Sequence, residues 1–345
     1  MSTTLAQLSI PFPTAGKSAL KCHLCAHRCV LHVGQTGHCG VITNQQGTLH
    51  SLVAGYPVVL HTDPIERKPF YHVRPNTTLL SLGTLGCNMT CNFCQNWRVS
   101  QAHPDLQALG EAVAPEAIIQ HVYAQGSAGI AFTYNEPTIY LDYAIVIMRL
   151  AKQAGLITAF KSNGYLTPEA IDLIAGGNGT PLLLDAANID VKGFNDRAYR
   201  RICGARLQPV LDAVAFLHQC GVWVEVTTLL IPGVNDSDEE LGALATWLAA
   251  ISPDIPWHLW RFHPDYRMTS IPWTHVRDLD RAVTIGRNAG LRYIYTSNTP
   301  GDPNQHTRCP NCAAMLIERH GNATVEVRLA DGRCWACGCE IVGRW

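Results

Sequence analysis

Residues 78 to 97 read TLLSLGTLGCNMTCNFCQNW, an apolar run followed at once by Cys87, Cys91 and Cys94 at spacing C-x3-C-x2-C. A structural zinc site wants four ligands closing a tetrahedron, most often as two separated pairs. This loop supplies three, with no neighbouring fourth. Three thiolates from one loop suit a [4Fe–4S] cube whose fourth iron stays open, and an open iron is where a ligand binds and reacts. The run before the cysteines reads as a strand, so the loop stands at a strand's C-terminal end.

Outward from this stretch, short apolar runs alternate with segments of helical period. The strand candidates are residues 78–84, 128–134, 156–162, 187–192, 222–231, 256–262 and 292–298. Helices are expected between them, for example over 138–155, ending at Gly155, and over 238–251. Strand–helix alternation predicts an α/β chain of right-handed parallel units, and about 30 residues per unit favours a complete or partial (β/α) barrel. Barrel chemistry sits at C-terminal strand ends, where GC, YNEP, KSNG, DVKG, IPGVND and RFHP fall. Three segments are expected: a Cys/His-rich module over 1–76, the barrel over 77–300, and a cysteine-bounded tail over 301–345 after the turn-rich TPGDPNQHT.

The chain has 345 residues, with 26 Lys+Arg against 27 Asp+Glu and a formal charge of −1. Nothing in that balance points to nucleic acid or an anionic membrane. The opening MSTTLAQLSIPFPTAGKSALK lacks a charged segment followed by an unbroken apolar one, and no run of 18 apolar residues follows, so a cytoplasmic protein is expected. Its 14 cysteines then argue for metals and redox chemistry rather than disulfides. Cys203 and Cys220 stand alone and read as small core residues.

The C-x3-C-x2-C loop, with Phe93 before its last cysteine, resembles the motif of the radical S-adenosylmethionine (SAM) superfamily. The resemblance implies that SAM chelates the open iron through its methionine end. One electron from the reduced cluster then breaks the S–C5′ bond, and the 5′-deoxyadenosyl radical abstracts hydrogen from a substrate. It also implies roles at successive strand ends. Glu136 in TYNEPT would meet the SAM ammonium, and Asn163 in KSNGY the ribose or methionine. Asp190 and Lys192 in NIDVKGF, with His263 in RFHP, match segments of pyruvate formate-lyase activating enzymes. Those enzymes typically end the third strand in D-T-N-G, whose Asp helps bind a monovalent cation beside SAM; Lys161 stands in that place here and can replace the ion with its own ammonium or point to solvent.

KCHLCAHRC, DPIERKPFYH, LGTLGCNMTCNFCQNW, YNEPT, DVKGF and RFHPDYRMT together resemble, across nearly the whole chain, the radical SAM member of the AmmeMemoRadiSam system. That resemblance implies Amme-type and Memo-type protein partners, and a reductase or flavodoxin-like electron donor. Two other readings are an activating enzyme that makes a glycyl radical, and a non-catalytic iron–sulfur and zinc protein for electron transfer or scaffolding. The last has no use for polar strand-end residues such as Glu136 and Asn163.

Two further cysteine groups flank the barrel. Cys309, Cys312, Cys334 and Cys337 have zinc-ribbon spacing, with rubredoxin-like iron as the competitor and Cys339 able to replace the last ligand. Cys22, Cys25, Cys29 and Cys39, at C-x2-C-x3-C-x9-C, read as a metal site open to zinc or to an iron–sulfur cluster. His23, His27, His32 and His38 interleave with them and could replace one of the cysteines, but read first as solvated loop residues.

Overall fold

The computed structural model describes residues 2–12, 18–105, 109–179 and 181–345. Met1 and residues 13–17, within the opening stretch read above, lie outside them. The centre is one eight-stranded sheet: β1 (Val59–Pro64), β2 (Thr78–Gly83), β3 (Gly129–Phe132), β4 (Ile157–Ser162), β5 (Ala186–Asp190), β6 (Trp223–Leu230), β7 (Trp257–Arg261) and β8 (Ile294–Ser297). Neighbours in sequence are neighbours in the sheet, with β1 and β8 at its two edges, so the barrel is partial. From β2 to β8 every pairing is parallel, and each of these strands falls on a run expected from the sequence.

These strands are buried on both faces, as in β2, where Leu79, Leu80, Ser81 and Leu82 are all inaccessible. Helices cover the outside: α1 (Pro115–Ala124), α2 (Leu141–Gln153), α3 (Pro168–Ala175), α4 (Asp196–Cys203), α5 (Gln208–Gln219), α6 (Asp238–Ile251) and α7 (Val276–Asn288). Their caps follow directly on the strand-end motifs. Thr167 after KSNGY accepts the Ala170 amide, Asn195 after DVKGF the Ala198 amide, and Ser237 after IPGVND the Glu240 amide. Each motif is therefore held between a strand's C-terminus and a helix N-terminus.

β1 was not expected. It pairs antiparallel with β2, so the central sheet draws on residues upstream of position 77. The rest of the N-terminal segment is loop-rich, with the short antiparallel strands Ser9–Pro11, Leu20–Cys22 and Val30–Leu31 and a hairpin of Ile42–Gln45 with Thr48–Ser51. It lies over the C-terminal face of the barrel: Cys25 bridges to Leu166, the Ala26 amide donates to Tyr165 O at 3.0 Å, and Arg28 forks onto both Glu169 oxygens at 2.9 and 2.8 Å.

The opposite end is closed by the tail. Arg319, on the strand Met315–His320, is fully buried, lies 4.0 Å over the Tyr71 ring and donates to Tyr71 O at 2.7 Å. Beside it the inaccessible Glu225 accepts the Tyr71 and His72 amides and the His258 imidazole at 2.6 Å. Residues 299–307 have turn composition, yet Thr307 is inaccessible and bonded to Tyr295 and Arg319. Among the described residues no helix is long and apolar enough to cross a membrane.

Candidate active site

The three-cysteine loop leaves β2 through Gly86, whose φ of +86° needs glycine; a Cβ there would lie 2.9 Å from Cys39 O and 2.7 Å from Val41. The loop then runs beside the end of α4, with the Thr90 amide on Cys203 O and the Asn92 amide on Ile202 O, both at 2.9 Å. From beyond β7, the Arg267 amide donates to Asn92 O at 3.0 Å and Tyr266 stacks on Trp97 at 5.2 Å. The loop is thus fixed on both sides. Donors also face its sulfurs: the Met89 amide lies 3.4 Å from Cys87 Sγ, and Ser100 Oγ is 3.2 Å from Cys94 Sγ.

Glu136 and Asn163 are bound into the same unit. Glu136 is inaccessible; Oε1 accepts Thr138 N at 3.1 Å, Thr138 Oγ1 at 2.6 Å and Ser162 Oγ at 2.8 Å, while Oε2 accepts Asn163 N at 2.8 Å. Burial pushes its carboxyl upward and these donors pull it back. An ammonium reaching Glu136 competes with them, so in this geometry its first effect is to fix the end of β4. Asn163 Nδ2 in turn donates to Asn88 Oδ1 at 2.8 Å and lies 3.7 Å from Cys87 Sγ.

The next strand ends carry charge. Lys161 does not point to solvent: its Nζ meets Asp190 Oδ1 at 2.5 Å and Asn188 Oδ1 at 2.6 Å. Lys192 holds the other Asp190 oxygen at 2.8 Å, with its ammonium 5.6 Å from the Phe93 ring centre. Burial raises the Asp190 carboxyl, but the two ammonium groups outweigh it and hold the acid at about 2. Asp190 therefore stays ionised at neutral pH. His263 meets the cysteine loop through Gln95 Nε2 at 3.3 Å and packs beside Trp273.

The sequence missed several participants. Asn88 lies inside the motif, and its buried Nδ2 has no partner among the described residues, an open donor beside Cys87. Cys203 was read as a core residue; it is fully buried, yet its thiol bonds to Cys91 and lowers the Cys91 thiol against the effect of burial. Ser162 and Asn188 carry no spacing signal. His23 and His27 are not solvated: His23 bonds Glu169 at 2.9 Å, and His27 reaches Asn88 O at 2.7 Å, because the N-terminal segment folds down onto the barrel face.

The sulfurs separate into two kinds of site. Cys309, Cys312, Cys334 and Cys337 have ligand atoms all within 4.8 Å of one another, with Cys309–Cys337 at 3.6 Å and Cys312–Cys334 at 3.7 Å. Tetrahedral sulfurs on a zinc bond of about 2.3 Å stand about 3.8 Å apart, so this group can hold one ion such as zinc. Cys339 instead turns its thiol to Glu340 O. Among the described residues no other such group is this tight, so Cys87, Cys91 and Cys94 do not converge on one ion. Sulfurs spread around a loop fit a polynuclear cluster, each binding a different iron. Replacing Cys309 and Cys312 by Ser is expected to remove about one equivalent of zinc per chain and leave iron content unchanged. Elemental analysis of metal-reconstituted protein checks both.

Comparison with known proteins agrees with this geometry. Residues 82–245 match the Radical SAM superfamily profile. The chain is 35% identical over 325 residues to the uncharacterized protein MJ0808 of Methanocaldococcus jannaschii, covering 93% of this chain and 95% of that one. It is 23% identical over 169 residues to the pyruvate formate-lyase-activating enzyme of Streptococcus mutans, covering 48% of this chain and 64% of that enzyme. A solved radical SAM methyltransferase from Sphaerobacter thermophilus shares the fold, with a TM-score of 0.51 and 18% identity over 66% of this chain and 68% of its own. Three cysteines at a barrel strand end, embedded in a match of this kind, make the chain an enzyme of the radical SAM superfamily, the family that works with a [4Fe–4S] cluster and SAM.

Proposed function

We propose that this enzyme cleaves SAM reductively and uses the 5′-deoxyadenosyl radical to take hydrogen from a substrate handled within the AmmeMemoRadiSam system. The observation that carries the reading is the contact of Asn163 with Asn88 and Cys87, which joins the expected SAM contacts to the cysteine loop. The cluster and SAM, when bound, supply the electron and the radical. The chain supplies position. Cys87, Cys91 and Cys94 hold three irons, Glu136 fixes the end of β4, and Asn163 with the open Asn88 amide orients SAM over the loop. Phe93, Lys192 and Asp190 form the adjoining wall, and His263 closes it from beyond β7.

The wider assignment rests on motifs at both ends of the chain, KCHLCAHRC and RFHPDYRMT among them. Amme-type and Memo-type proteins are the partners proposed, with a reductase or flavodoxin-like protein as electron donor. Activation of a glycyl radical enzyme is the second reading, favoured by the likeness to pyruvate formate-lyase-activating enzymes over 48% of this chain. The test is anaerobic. SAM added to dithionite-reduced protein should change its electron paramagnetic resonance spectrum and yield 5′-deoxyadenosine. Affinity-tagged enzyme should retain Amme- or Memo-type proteins from the source cell extract; glycyl radical formation on a co-purifying enzyme would replace this reading with the second.

Lys161 gives a narrower test. Its ammonium already sits on Asp190, where the activating enzymes are expected to use a bound monovalent cation. Deoxyadenosine yield should therefore be the same in tetramethylammonium buffer with and without potassium. Lys161→Asp places two carboxylates together and should create a potassium requirement. Strong potassium activation of the parent would show that the lysine does not replace the ion.

A further inference from the structure

The N-terminal cysteines pose a problem that spacing left open. Cys22, Cys25, Cys29 and Cys39 all line one cavity, closed by Leu31, Ile42 and, from the barrel side, Thr138 and Ile139. They share a space without converging, since neither the four nor any three bring their sulfurs within 4.8 Å of one another. The tail cysteines do converge, and they show what a one-ion site looks like in this same chain. The His38 amide also donates to Cys29 Sγ at 3.5 Å. Four sulfurs set around one apolar cavity, and not gathered on one point, fit a cube that takes one thiolate at each of its four irons.

We propose that Cys22, Cys25, Cys29 and Cys39 hold a second [4Fe–4S] cluster, with all four irons bound by cysteine. With no iron left open, this cluster does not bind SAM. Its place is beside the first: Cys39 O packs against Gly86, which precedes Cys87, and Thr138 and Ile139 follow Glu136. His27 adds a direct bond from this module to Asn88 of the three-cysteine loop. The two cysteine sets thus share a wall built from the loop after β2 and the turn after β3.

A variant lacking the first cluster isolates the second. The full chain carrying Cys87→Ala, Cys91→Ala and Cys94→Ala together, reconstituted anaerobically with iron and sulfide, should retain about four iron and four sulfide per chain. Mössbauer spectra should show a [4Fe–4S] centre, and its reduced paramagnetic signal should be unchanged by SAM. Zinc should stay near one equivalent, from the tail. Two zinc per chain with no iron would overturn the proposal in favour of a zinc knuckle, and a folded variant holding neither iron nor a second zinc would overturn it outright. Conversely, Cys22→Ser with Cys25→Ser in the otherwise native chain should lower iron from about eight to about four while the SAM-sensitive signal survives. Should that variant fail to fold, the triple variant decides alone. Loss of SAM chemistry in the parent would refute the proposed function without touching this result.

Discussion

Alanine at Cys87 or Cys94 is expected to reduce 5′-deoxyadenosine formation to the level of a protein-free control, and alanine at Cys91 to remove most of it. On the proposed reading each thiolate holds a different iron, so removing one leaves a second corner of the cluster unprotected and the SAM-binding corner no longer unique. The neighbouring Cys203 complicates only one position. Its thiol touches Cys91 and is fully buried, so it can partly substitute in Cys91→Ala, where cluster assembly should suffer least. Cys91→Ala with Cys203→Ala should then match the other two single variants. The measurements are iron and sulfide content after anaerobic reconstitution, and deoxyadenosine by chromatography after addition of SAM and dithionite. Full turnover by Cys87→Ala or Cys94→Ala would remove the three-cysteine loop from the catalytic centre.

Glu136→Gln should produce the second largest effect. In the parent, one carboxylate oxygen serves Thr138 and Ser162 and the other serves the Asn163 amide. An amide has one acceptor oxygen, so whichever way it turns, its NH2 meets a donor. A buried donor left without an acceptor costs about 1–3 kcal/mol. The strain falls on the segment that carries Asn163, and through it on Asn88 and Cys87. The loss of a charge-assisted bond to the SAM ammonium, about 1.5–3 kcal/mol, by itself should lower SAM affinity about 10- to 150-fold. Equilibrium dialysis on the reduced and oxidised protein checks this. A Gln variant that binds SAM as tightly as the parent would assign Glu136 to the scaffold alone.

The parallel strands were legible because parallel strands in a barrel are covered on both faces and appear as unbroken apolar runs. β1 escaped for the opposite reason. It is an edge strand, only Asp63 of it is buried, and Pro64 at its end reads as a breaker. Its partner lies 14 residues away in register, Thr78 opposite Pro64, which no local pattern records. The site divides in the same way. Cysteines and strand-end acids are visible by type and spacing, whereas Cys203 reaches Cys91 only because the end of α4 runs along the loop. Lys161 was legible as a charge at a strand end, but its direction depended on Asp190 one strand over.

The buried Arg319 and the residues around it have a consequence for how the chain is made. His72 Nδ1 donates to Val342 O, 270 residues later in the sequence, and the Arg344 amide donates to His72 O. In a chain synthesised from its N-terminus, every strand of the barrel is therefore made before the residues that cap the barrel's lower end. Until then Tyr71 lacks its Arg319 cover. Metal capture by Cys309, Cys312, Cys334 and Cys337 belongs to the same stage, so loading of the tail and capping of the barrel's lower end become one folding event.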